Sequence, residues 1–158
     1  MSSYRNTVVK GDPITKEATA GGTLYPGYLV VLNSSGNLIA HATAGGNAIP
    51  RFCVENSDIG DTVDDTYASG DNCKYVVARP GDEIQARMAT GQNIAIGDAL
   101  VSNANGQLKE YSAETVTVDM SKTTSTYTET IYDTTIVGYA LEANASTSAN
   151  DKLLIEAA

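Results

Sequence analysis

Residues 21–38 read GGTLYPGYLVVLNSSGNL, and residues 91–108 read GQNIAIGDALVSNANGQL. The two stretches align without a gap. Gly21 falls on Gly91, Gly27 on Gly97, Val31 on Val101, Asn33 on Asn103, Gly36 on Gly106 and Leu38 on Leu108, with Leu24 and Ile94 as a conservative pair. Each copy carries the same physical content. A small apolar pair precedes a glycine turn, a buried strand follows, and an Asn-x-x-Gly turn reverses the chain into a strand that starts with Leu. A strand–turn–strand unit that recurs in one chain predicts repeated β modules.

The similarity extends outward from both copies. Residues 50–56 (PRFCVEN) resemble 137–144 (VGYALEAN): each has an aromatic, a small residue, an aliphatic residue and Glu. Residues 83–88 (EIQARM) resemble 152–157 (KLLIEA), and each closes its half. The expected organisation is an N-terminal arm, 1–13, a first β module, 14–89, and a second β module, 90–158, with packing into one domain left open. The first module carries an acidic insert, 58–72. The second carries a Thr-rich insert, 111–135, expected as a β-hairpin with its turn near 121–125. Period-two alternation supports strands: Ile84, Ala86 and Met88 oppose Gln85 and Arg87, and Val116, Val118 and Met120 oppose Thr115, Thr117 and Asp119. No long window shows a 3.6-residue apolar stripe. The fold class expected is all-β, as small β-barrel or sandwich-like modules in two related copies with a hairpin insertion.

Composition agrees. The chain has 158 residues, of which 42% are hydrophobic, so it can bury a core without staples. Nine Tyr, one Phe and no Trp, with 14 Gly, suit short strands and tight turns. A net charge of −9 repels phosphate backbones, so nucleic acid is not an expected partner. The longest apolar run, 29–32, is too short for a membrane span, and residues 1–10 show no secretory signal. Synthesis in a cytoplasm is therefore expected, and there two buried free thiols, Cys53 and Cys73, are the ordinary outcome. Cross-strand neighbours can also form a disulfide, and geometry decides between the two.

The residues able to carry chemistry are few. His41 is the only histidine and sits among small residues, so it is expected as a solvated loop histidine. A Ser-His-Asp site would need it, but no G-x-S-x-G elbow is present. Cys53 and Cys73 lack the further ligands that zinc requires. Asp58, Asp61, Asp64, Asp65 and Asp71 offer calcium-type oxygen donors but match no EF-hand or nonapeptide spacing, so a solvated acidic loop is expected. Gly21-Gly22 and Gly45-Gly46 lack a phosphate-loop context and read as turns. In 79–83 (RPGDE), Pro80 and Gly81 suit the two corners of a turn. Asp82 and Glu83 point to opposite faces of a strand, badly placed to share a substrate. Catalytic, cofactor-binding and metal-binding residues are therefore all expected to be none, and the chain is expected not to be an enzyme.

The order of these features resembles a known family. An apolar run around a glycine (24–32), an Asn/Gly turn with Leu (33–38), an Ala/Gly-rich loop (42–48), a small-aliphatic-Glu strand (52–55), Gly60-Asp61, and an alternating strand after Pro80-Gly81-Asp82 look like the capsid decoration (cement) proteins of tailed bacteriophages. The resemblance covers about 14–111, with a weaker echo in 136–157. It implies a structural virion protein on the capsid exterior, with the major capsid protein as partner, no membrane, no cofactor, and assembly as a homo-oligomer, a trimer being favoured. The alternative expectation is a head-fibre or adhesin-type module that binds a cell surface or glycan, for which Tyr111, Tyr127, Tyr132 and Tyr139 are the candidate aromatics.

Overall fold

A computed structural model describes residues 4–112, 114–119, 126–131 and 135–158. Among them there is no α-helix, and fifteen strands carry the architecture. Strands β1 (Val8–Lys10) and β2 (Ile14–Thr19) come first. Strands β3 (Val30–Leu32) and β4 (Leu38–Ala40) flank the first Asn-x-x-Gly turn. Strands β5 (Arg51–Cys53) and β6 (Asn72–Val77) bracket the acidic insert, which holds one 3-10 turn, Ser57–Ile59. Strands β7 (Glu83–Met88), β8 (Asn93–Ile94), β9 (Ala99–Ser102) and β10 (Leu108–Glu110) follow. Strands β11 (Glu114–Asp119) and β12 (Thr126–Ile131) form the Thr-rich insert. Strands β13 (Gly138–Ala140), β14 (Asn144–Ala145) and β15 (Asp151–Ala157) end the chain.

The all-β expectation holds, and the pairing shows how the repeat is used. Strand β7 pairs with β10, β10 with β9, β9 with β13, β13 with β15, and β15 with β7, so five strands close a barrel with β1 added outside on β7. The first half repeats this cycle with shorter contacts. Strand β2 pairs with β6 and β6 with β5. The Leu29–Phe52 bridge continues to the β3–β4 hairpin, and a parallel Ala20–Leu38 bridge returns to the end of β2. The registers correspond. Val30 faces Ala40 as Leu100 faces Glu110, Leu29 faces Phe52 as Ala99 faces Tyr139, and Ala20 meets Leu38 in parallel as Met88 meets Leu108.

These registers reassign one strand. The expected match of EIQARM with KLLIEA is incorrect. β7 occupies in its ring the place that β2 occupies in the first, and β15 the place of β6. Strand β7 therefore pairs within the second ring, and the turn between β6 and β7 joins the two rings. Alternation alone cannot tell an opening strand from a closing one, since both are amphipathic with period two. Part of the expected arm is also structured, because Val8–Lys10 pairs with β7. The insert hairpin is present, with Glu114 opposite Ile131 and Asp119 opposite Thr126, while its turn lies outside the described residues.

The two turns with Asn-x-x-Gly spacing solve the reversal differently. In the first, Gly36 N–H donates to Asn33 O, and the Asn33 side-chain oxygen accepts from the N–H groups of Ser35 and Asn37. In the second, Gln107 N–H donates to Ala104 O with Asn105 and Gly106 both at positive φ, the type I′ arrangement favoured in hairpins. Gly106 also touches the other ring. Its carbonyl accepts from Leu29 N–H, its N–H donates to His41 O, and a Cβ there would stand 2.7 Å from the Tyr28 ring.

Two apolar clusters form the core. One, containing Leu24, Tyr28, Val30, Leu38, Cys53 and Cys73, fills the first ring. The other fills the barrel with Ile84, Ala86, Met88, Leu100, Leu108, Leu153 and Ile155, and takes in Leu29, Phe52 and Val76 from the first ring. Alternate residues of β5 thus serve the two clusters, Cys53 one and Phe52 the other. Strand β7 is buried on both faces for the same reason. Gln85 and Arg87, on the face away from the barrel interior, are 0% and 6% exposed.

Candidate functional site

The residues singled out for chemistry are mostly absorbed into structure. His41 is the clearest correction, since it is buried and not solvated. Its Nε2 lies 3.0 Å from Asn47 O and its Nδ1 lies 2.8 Å from Ser102 Oγ. A carbonyl only accepts, so Nε2 carries a proton, and in the neutral ring Nδ1 accepts from the serine hydroxyl. Ser102, fully buried, also accepts from Ala104 N–H at 3.2 Å. The lone histidine, directly after β4, therefore ties the first ring to β9 of the barrel. The small residues around His41 gave no sign of this, because its partners are remote in sequence.

Cys53 and Cys73 are buried free thiols with sulfurs 3.4 Å apart. Burial pushes the Cys53 thiol well up, and the neighbouring Cys73 adds to the effect. A thiol held protonated is a poor nucleophile. The carboxylates of 58–72 are spread among separate tasks. Asp58 pairs with Lys74, Asp64 with Lys152 at 2.8 Å, Asp65 caps Thr62, and Asp71 accepts from Ala68 N–H. Among the described residues, no three His, Cys, Asp or Glu side chains come together as a metal site.

Asp82 and Glu83 diverge as their strand positions require. Asp82 accepts from Asp12 N–H at 3.2 Å and Arg79 N–H at 2.8 Å, while Glu83 pairs with Lys10 at 3.0 Å. The expected turn is present, with Gly81 at φ 92° and Asp82 N–H donating to Arg79 O.

Arg87 joins three remote segments. Its Nε donates to Pro26 O at 2.9 Å, Nη1 to Asn150 O at 2.9 Å, and Nη2 to Val63 O, with Asp64 3.7 Å away. The guanidinium also lies 6.0 Å from the Tyr25 ring centroid. Burial lowers the Arg87 pKa, and Asp64 opposes that shift.

Among the described residues, a groove beside β3 sets apolar walls against a cation. It holds about 220 Å³ between β3 and the segment leading into β5, and is lined by Val30, Val31, His41, Ala48, Ile49 and Arg51. Arg51 is half-buried, and its Nε is shielded with no hydrogen-bond partner among the described residues. Of the candidate aromatics, Tyr139 is exposed opposite Ala99, and Tyr111 N–H donates to Ala99 O, so these two flank one residue. Tyr132 lies outside the described residues, and the Tyr127 side chain is likewise not described.

Among known proteins, no family model and no curated protein matches this chain. A solved structure does: the head fiber gp8.5 N base in bacteriophage phi29. It matches with a TM-score of 0.52 and 13% sequence identity, over 93% of this chain and 95% of that one. At that identity the likeness is one of fold, and it extends over nearly the whole length of both chains.

Proposed function

We propose that this chain is a structural component of a tailed-phage virion, seated on the outside of the capsid and made in the host cytoplasm. The observation that carries the reading is the end-to-end fold likeness to a phage head-fibre base. The sequence resemblance to capsid decoration proteins, drawn from different features, points the same way. The use of His41, Asp82 and Arg87 as internal ties, with no substrate-facing role, is compatible with a scaffold. In this reading the major capsid protein is the partner, the chain acts as a homo-oligomer with a trimer favoured, and it stabilises the shell as a cement protein.

The test is to mix purified protein with capsids that lack it. Binding in a pelleting assay with a raised thermal disruption temperature of the shell is expected. Failure to bind would refute the reading. The fibre-base alternative is favoured by the identity of the structural neighbour itself. It predicts capsid binding without added shell stability, and retention of a further fibre segment or a cell-surface glycan.

A further inference from the structure

The groove beside β3 contains an unmet requirement. Arg51 makes no side-chain hydrogen bond or ion pair among the described residues, and its Nε is shielded from solvent. Ile49 stands at the rim, 52% exposed. A shielded N–H without an acceptor is unfavourable, and so is an uncovered aliphatic side chain beside it. The complementary shape is an aliphatic side chain with a carboxylate close by.

The chain itself presents that shape elsewhere. Ile59 ends the 3-10 turn at 73% exposure, and Gly60, at φ 89°, turns the chain into Asp61. The Asp61 carboxylate has no hydrogen bond or ion pair among the described residues. Its neighbours are already engaged, since Asp58 pairs with Lys74. The other strongly exposed isoleucine, Ile96 at 71%, sits beside Asp98, whose carboxylate accepts from Ala95 N–H at 2.7 Å within its own turn. The segment 59–61 therefore offers an exposed isoleucine beside a half-buried carboxylate that makes no hydrogen bond or ion pair among the described residues, and it serves as the knob.

We propose that the groove takes the Ile59-Gly60-Asp61 turn of a second copy of this chain, with Asp61 meeting Arg51 and Ile59 packing on Ile49 and Val31. This deepens the homo-oligomer part of the proposed function and rests on it. Groove and knob lie toward opposite ends of β6: Arg51 is opposite Val77, while Asp58 pairs with Lys74. Because knob and groove are separate patches, the contact is heterologous when each copy gives its knob to a different neighbour. Such an interface closes into a ring when its rotation permits. The chain's net charge of −9 disfavours random association, so a specific cation–carboxylate contact also selects the register.

The experiment is sedimentation velocity over a concentration series on the full chain and on Arg51→Asp, Asp61→Arg, Ile59→Asp and the double variant Arg51→Asp/Asp61→Arg. Thermal midpoints check that each variant is folded. The parent is expected to associate. Each single variant weakens association about tenfold or more, and the charge-swapped double variant recovers most of that loss, since one such contact is worth about one decade of affinity. A parent that stays monomeric, single variants that associate like the parent, or a double variant that recovers nothing would each overturn the inference. Capsid pelleting of the same proteins separates the two proposals. A monomeric chain that still pellets refutes this contact and leaves the virion reading standing. A chain that assembles through this contact but never pellets refutes the virion reading alone.

Discussion

Replacing Arg87 with Met keeps an apolar stem in place and removes a charge that binds three carbonyls. Those carbonyls belong to Pro26, Val63 and Asn150, which lie in the first glycine turn, the acidic insert and the turn before β15. Each bond contributes a net of about 1–1.5 kcal/mol, so the three sum to about 3–4.5 kcal/mol. The ion pair to Asp64 adds little, because that carboxylate side chain is 69% exposed. Releasing the guanidinium from burial offsets part of the loss, as its lowered pKa indicates in direction. The expected destabilisation is about 2–4 kcal/mol, and for a chain of this size that lowers the melting temperature by roughly 5–15 °C. Calorimetry with urea unfolding measures it. Limited proteolysis should show earlier cutting in 58–72, because Val63 loses its anchor. Arg87→Lys should recover only part of the stability, since a single ammonium cannot span the three acceptors. A melting temperature for Arg87→Met within about 1–2 °C of the parent would refute the reasoning. So would an equal loss from Asp64→Asn, which would put the energy in the ion pair.

Three further outcomes are expected. Gly106→Ala should cost about 2–4 kcal/mol by urea unfolding, combining positive-φ strain with a clash against the Tyr28 ring, whereas Gly91→Ala, at φ 80° with open space around it, should cost only about 1 kcal/mol. Cys53 should resist iodoacetamide at pH 8 in the native protein and react promptly in urea, as mass spectrometry would show; rapid native alkylation would contradict the protonated, buried thiol. Tyr67, whose hydroxyl donates to Val54 O at 2.8 Å, has its pKa raised by burial. A raised acid favours the folded state below the unfolded tyrosine pKa of about 10 and withdraws that stability as pH climbs past it. Unfolding midpoints should therefore fall above about pH 10, and Tyr67→Phe should flatten the fall.

How legible was the chain? The Gly21 and Gly91 stretches announced two equivalent hairpins, and the matching registers of β3–β4 and β9–β10 agree with that reading. The turn at Pro80-Gly81 was legible because proline and glycine set φ locally. His41 was not legible, because its burial depends on Ser102 and Asn47 arriving from other elements. Arg87 was seen only as the polar face of an alternating strand. That its face is covered depends on the first ring and the acidic insert folding over it. The shielded Nε of Arg51 likewise follows from how β3 and β5 lie together, and carries no sequence signature.

The sequence by itself determined the all-β class, the repeated unit and the positions of its turns. These follow from φ preferences and period-two alternation, which act over a few residues and need no remote partner. Tertiary structure alone decided that β7 pairs within the second ring, which faces of β5 and β7 serve which cluster, and that the lone histidine and a buried arginine bind the rings together. Ring closure joins segments far apart along the chain. An amphipathic strand pairs equally well with many others, so only three-dimensional packing selects its neighbours.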